Sequence, residues 1–148
     1  MRVHTMQGRT LAIAAIFLTG CAATPEPVLN GTPVEISQDE LDEYWVARQS
    51  GVFVRTPTTG AGCGVVDIRF LIDSNGEVHD VEVLDAQPKY TFDDAAVAMQ
   101  EAFSYAPSDR NPGRTPVRVT RFVTFDMGPT DDVDCADVVQ RLKSARQD

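Results

Sequence analysis

The chain has few histidines, cysteines, tryptophans and positive charges. Its 148 residues hold 2 histidines, 3 cysteines and 1 tryptophan, and 13 bases face 22 acids for a net charge of −9. So few bases exclude a nucleic-acid binder, because phosphate contacts need a basic surface. No Cys-x-x-Cys spacing occurs and only His79 lies past residue 20, which leaves too few ligands for a zinc site. The longest apolar run, Thr10 to Ala23, falls short of the roughly 20 residues a spanning helix needs. Glycine and proline, 10 and 9, follow no period, so collagen-like and repeat arrays are excluded. No Gly-x-Ser-x-Gly, phosphate-binding loop or dinucleotide fingerprint is present. The sequence therefore offers no catalytic residue, no metal site and no cofactor site, and His79 reads as a surface residue on a strand. Asp73-Ser74-Asn75-Gly76 has a faint calcium-loop look but lacks the remaining ligand positions.

What is present begins with an address. Arg2 and Arg9 precede an apolar core from Leu11 to Leu18, and no acid occurs before Glu26. This is the pattern of a secretory signal. The run closes in Leu18-Thr19-Gly20-Cys21, which resembles the bacterial lipobox. That resemblance implies cleavage after residue 20 and acylation (palmitate and related chains) of Cys21. The alternative is an ordinary signal peptide with an incidental cysteine. Several acyl chains would hold the protein to lipid, whereas one gives marginal binding. The acidic body is repelled by anionic lipid, so the anchor and not a basic patch must do the holding. Ala22 follows the cysteine, with no aspartate there, which by analogy with known sorting points to the outer membrane over the inner.

Two cysteines remain, Cys63 and Cys135. In an oxidising compartment a disulfide is the default, with two free thiols as the alternative.

Residues 21–35 read as an irregular tether, with Thr24-Pro25-Glu26-Pro27, Asn30-Gly31 and Pro33. Extended, it reaches at most about 50 Å. A domain over 36–148 follows. Ser37 and Glu40 form a capping box, and Leu41, Tyr44, Trp45 and Arg48 predict a first helix that ends near Gly51. Trp45 reads as a packing residue. Val66, Ile68, Phe70 and Ile72 alternate with partners of mixed polarity and predict a half-buried strand. Asp73-Ser74-Asn75-Gly76 predicts a hairpin turn with Asn75-Gly76 at its centre. The second strand, from Glu77 to Asp85, carries a bulge near His79-Asp80. Thr91 caps a helix whose stripe is Phe92, Ala96, Met99 and Phe103, and Pro107 ends it. A third strand runs from Pro116 to Met127. Asp131-Asp132-Val133-Asp134 supplies capping charge to a last helix from Asp134 to Arg146, with Val138, Val139 and Leu142 inward.

These elements predict an α+β domain. A three-stranded sheet in the order 2-1-3 has helices on one face, including extra N- and C-terminal helices. Cys63 and Cys135 then lie at the same end of the sheet, where a bridge closes about 70 residues and contributes on the order of 4 kcal/mol.

The stretch Gly64 to Val78 resembles the first hairpin of TonB C-terminal domains. Asp80-Val81-Glu82-Val83 is similar to their second strand, Phe92-Asp93-Asp94-Ala95-Ala96 to their central helix, and Phe103-Ser104-Tyr105-Ala106-Pro107 to its close. Gly113 and Pro116-Val117 fit the entry to the last strand, so the resemblance covers 62–127. It implies a peptide-binding module that adds a partner's extended segment to a sheet edge. The implied edge is Val117, Arg118, Val119, Thr120, Arg121, Phe122, Val123, Thr124 and Phe125. The implied partner is an envelope protein, such as a TonB-dependent outer-membrane transporter. The spanning helix and long Pro-rich linker of TonB proteins are not in this sequence, so only the binding module carries over. The contrasting expectation is a structural or assembly lipoprotein of the envelope with no role in transport. Arg110, Arg114, Arg118 and Arg121 crowd the loop and third strand, where they either blunt self-pairing of an edge or steer an acidic peptide or a lipid phosphate.

Overall fold

The computed structural model describes residues 25–56, 62–127 and 134–146. Cys21 and the whole address segment lie outside the described residues, as do Asp131 to Val133. The strands are β1 (Val34–Ser37), β2 (Trp45–Ala47), β3 (Cys63–Ile72), β4 (Val78–Gln87), β5 (Tyr105–Pro107) and β6 (Val117–Asp126). The helices are α1 (Leu41–Tyr44), α2 (Asp93–Glu101) and α3 (Cys135–Arg146), and a 3-10 turn over Gln38–Glu40 leads into α1.

β3 is the centre. It pairs antiparallel with β6 along its whole length, from Cys63↔Asp126 to Ile72↔Val117. On its other side it pairs antiparallel with β4. The expected order 2-1-3 is present as β4-β3-β6, but the sheet has four strands in the order β1-β6-β3-β4. Val34 to Ser37, placed in the tether or at a helix start by sequence, pair parallel with Val117 to Thr120. Val-Glu-Ile-Ser does alternate, but four residues beside Asn30-Gly31 and Pro33 give too short a period to stand out.

A second correction concerns the faces. On one side of β3, Val66, Ile68, Phe70 and Ile72 pack under α2 and the β2–β5 ribbon, with Phe92, Ala96, Trp45 and Tyr105 fully buried among them. Each such aromatic or aliphatic side chain contributes roughly 1.5–3 kcal/mol by leaving water. On the other side, Cys63 and Val65 pack against Val138 of α3, with Phe122, Val139 and Leu142 around them. Helices therefore cover both faces, and β3 is buried on both, not half-buried. Gly64 is required by this packing. A Cβ there would lie 2.2 Å from the Phe92 ring, which itself stacks on Phe125 at 5.0 Å.

The first helix is also shorter than its spacing predicts. It stops at Tyr44, and Trp45 turns extended at φ −140° and ψ 137°. Trp45 to Ala47 instead pair with Pro107 to Tyr105. Leu41 and Trp45 are buried under either conformation, so periodicity could not separate them, and the distant partner strand decides. Trp45 is a packing residue as expected, with its Nε1 donating to the Thr115 carbonyl at 3.0 Å. Asn111 closes the loop below it: its Nδ2 donates to the Tyr44 carbonyl and its Oδ1 accepts from the Thr115 N–H. The Ser37–Glu40 pair forms, with Glu40 Oε2 accepting from the Ser37 N–H at 2.8 Å.

The hairpin and bulge agree with the sequence. Gly76 sits at φ +84°, where a Cβ would meet the Tyr105 carbonyl oxygen at 2.1 Å. The centre of the turn differs from the expected Asn75-Gly76: Ser74 and Asn75 are the central residues, since the Gly76 N–H bonds the Asp73 carbonyl. The register of β3 against β4 slips between Arg69 and Leu71, and Asp80 takes φ 52°. α2 begins at Asp93 with Phe92 at its cap position; Thr91 is not the cap, because its hydroxyl bonds the Lys89 carbonyl, and the helix ends at Glu101, not at Pro107, because Tyr105 to Pro107 pair with β2. Asp134 caps α3 by accepting from the Ala136 N–H.

The structure joins Cys63 to Cys135, with Cα atoms 5.4 Å apart and a sequence separation of 72. The bridge ties the start of α3 to the start of β3. Replacing both cysteines with alanine should lower the unfolding free energy by about 2–4 kcal/mol in denaturant melts. Non-reducing peptide mass analysis should recover Cys63 and Cys135 in one fragment pair.

Candidate peptide-binding edge

β6 is the strand that the resemblance to TonB C-terminal domains assigns to a guest. Its odd-numbered side chains, Val117, Val119, Val123 and Phe125, enter the core under α2. Phe122 points to the other face, where the Arg146 guanidinium carbon lies 4.7 Å from its ring centroid. Arg146 also pairs with the buried Asp67. Burial pushes the Asp67 carboxyl above its usual range, and the Arg146 charge opposes that rise.

The direction of the backbone decides what the edge can offer. Val34 N–H donates to the Pro116 carbonyl at 3.0 Å. In a parallel ladder this turns the even-numbered backbone groups of β6 toward β1. Met127 N–H donates to the Gly62 carbonyl at 3.0 Å, so the odd-numbered groups face β3. Val117, Arg118, Val119 and Thr120 are therefore not free; β1 lies along them. Past Ser37, the backbone of Phe122 and Thr124 faces outward, and no strand pairs there among the described residues. The expected nine-residue edge is thus a covered half followed by an open half, Arg121 to Phe125.

The arginines do not form one free basic patch. Arg118 Nε lies 3.3 Å from Glu35 Oε1, and Arg110 Nη1 lies 3.3 Å from Glu43 Oε1. Arg121 turns toward Tyr105, whose phenol is raised by burial against the opposing hydrogen bond from Gln100 and the Arg121 charge. Arg114 occupies a turn at φ 52°.

His79 is not a surface residue. Its side chain is 9% exposed, and its Nε2 lies 3.1 Å from Asp73 Oδ2. Asp73 also accepts from the N–H groups of Val28, Asn75 and Glu77. These bonds explain the calcium-like look of Asp73-Ser74-Asn75-Gly76: the carboxylate organises backbone donors. Ser74 completes the anchor, its N–H bonding the Val28 carbonyl and its Oγ accepting from Asn30 N–H. Val28 to Asn30 are thereby docked on the hairpin turn, a tie that sequence did not signal.

Residues 62–127 match the family model of the Gram-negative bacterial TonB protein C-terminal. These residues are similar to TonB C-terminal domains, over 66 of the chain's 148 residues. The match begins and ends with the β3–β6 ladder, so β1 and α3, which cover the edge and the second face, lie outside it. TonB C-terminal domains belong to the Gram-negative envelope and interact with envelope proteins such as outer-membrane transporters. A search of curated proteins returned no match. Among the described residues no helix is long and apolar enough to cross a membrane, and no group of His, Cys, Asp and Glu could hold a metal ion.

The Asp73 anchor has a definite pH dependence. Burial pushes its carboxyl up, but the three backbone donors and His79 outweigh that and hold it below its usual value of 3.8. A depressed folded value means the stabilisation is present above about pH 4 and fades as pH falls through the folded value. Asp73→Asn should therefore lower stability at pH 7, and the gap to the parent chain should close toward pH 2. Urea melts at the two pH values check this.

Proposed function

We propose that this protein is a non-enzymatic lipoprotein of the cell envelope whose TonB C-terminal domain binds an extended segment of an envelope partner by strand addition. An outer-membrane TonB-dependent transporter is the partner class, and the binding supports TonB-type transport. Backbone hydrogen bonds from the β6 edge supply the affinity, and side chains along the guest supply selectivity. The observation that carries the reading is the outward backbone of Phe122 and Thr124 on a strand of the matched domain. Acylation at Cys21 places the domain on the periplasmic side of the membrane, and the residue after it favours the outer membrane.

The registers change which substitutions test this reading. Thr120 faces β1 and Val123 faces β3, so proline at either breaks the sheet itself. Thr124→Pro removes an outward donor with little cost to the ladder on β3. Titration of the full chain with N-terminal peptides of transporters should shift the amides of Phe122 and Thr124 first. Thr124→Pro should weaken the binding by about tenfold, the loss of roughly one hydrogen bond. Shifts confined to α2 and α3, or none, would overturn the reading. Palmitate labelling in cells should be lost in Cys21→Ala; persistent labelling would remove the anchor from the proposal.

A further inference from the structure

β1 is the weakest strand of the main sheet. It has four residues, and Ile36 is its one buried side chain. Val34 is 38% exposed, and Glu35 and Ser37 are exposed as well. Its hold on β6 is a short parallel ladder, one core contact and the Glu35–Arg118 ion pair. It is bounded on both sides by firmer attachments. Val28 to Asn30 are docked on the Asp73-Ser74 turn, and Leu41 and Trp45 are buried in the core. A Cβ at Gly31, in the connection, would meet nothing within 4 Å, so the linker there is unconfined. Residues 31–37 can therefore leave β6 while both neighbours stay in place.

We propose that Val34–Ser37 is a resident guard strand, displaced when a guest segment takes its place on β6. This inference rests on the strand-addition reading above. β1 also describes the guest it excludes. The guest runs parallel to β6, carries a carboxylate where Glu35 meets Arg118, and has a branched aliphatic side chain where Ile36 enters the core. Val117 to Thr120 are then the selective half of the edge, and Phe122 and Thr124 extend the ladder without asking for a particular side chain.

The probe is a fluorescein-labelled peptide of residues 32–40 of this chain, titrated into the full chain and into Val34→Pro and Ile36→Ser. Val34→Pro deletes the N–H that bonds Pro116 and touches no core contact. Because only molecules with β1 detached can accept the peptide, detaching it should tighten binding by about tenfold or more in both variants. A peptide carrying Glu35→Lys should bind the Val34→Pro chain about threefold more weakly. Near-ultraviolet circular dichroism identical to the parent shows that each variant is folded. Equal affinity for parent and variants, or no binding to either variant, overturns the guard strand. Hydrogen exchange gives a second readout in the unaltered chain. The amides of Arg118 and Thr120 should exchange at least about 100-fold faster than those of Val66 and Val123, through local opening; exchange only with global unfolding overturns the proposal. Transporter peptides that fail to bind even Val34→Pro would refute the transporter as partner while leaving a positive result with residues 32–40 standing.

Discussion

The β3–β6 ladder is the constraint from which the rest of the molecule follows. Ten consecutive residues of β3 face ten of β6, and β3 is buried on both faces. Such a strand cannot be left with one face in water, because Val65 and its neighbours would then be exposed. α2 and the β2–β5 ribbon close one side. α3 closes the other, and its position is fixed covalently at Cys63–Cys135 and electrostatically at Asp67–Arg146. With both faces covered, the sheet can meet a partner chain only at its edges. That is why the edges, and not a pocket, carry the functional argument.

Sequence periodicity revealed what local pattern determines. The alternation of Val66, Ile68, Phe70 and Ile72, the Asp73–Gly76 turn, the slip near Asp80, the Phe92–Phe103 stripe and the last helix are each set by residues close together in the chain. Three features were hidden because distant partners decide them. β1 is too short to show a period, and it forms because Val117–Thr120 lie more than eighty positions away. Leu41 and Trp45 fit both a helix and a turn into a strand, and Tyr105–Pro107 choose. Val138 and Leu142 announce an apolar stripe on α3 but not which face of the sheet it meets. The same division applies to the site: the residues of β6 were readable, while their occupation by β1 was not. His79 was misjudged for a related reason. Alternation along an irregular strand does not reveal a carboxylate six residues earlier that folds back on it.

Charge in this acidic chain is arranged locally. The basic side chains that matter near the edge already have acids of the same chain: Glu35 on Arg118, Glu43 on Arg110 and Asp67 on Arg146. The exposed pairs add little to stability. Under the proposed strand exchange their effect would be on selection, since a guest would have to replace Glu35 with an equivalent carboxylate or leave Arg118 unpaired. The apparent cluster of arginines is thus a set of separate contacts distributed along the loop and strand.

The docking of Val28 on the hairpin turn has a geometric outcome for the proposed anchoring. The span from Cys21 to Val28 reaches at most about 25 Å, so the leash is far shorter than the irregular segment suggests. With Cys21 acylated as proposed, it would hold the Asp73–Gly76 corner toward the bilayer. Because Ile72 faces Val117, the beginning of β6 lies at that corner too, and in the proposed arrangement the stretch paired with β1 would sit nearest the lipid headgroups. The open stretch of β6 and the cystine lie at the opposite end of the sheet, so under the proposed anchoring a visiting chain would arrive from the aqueous side and zip downward to the membrane.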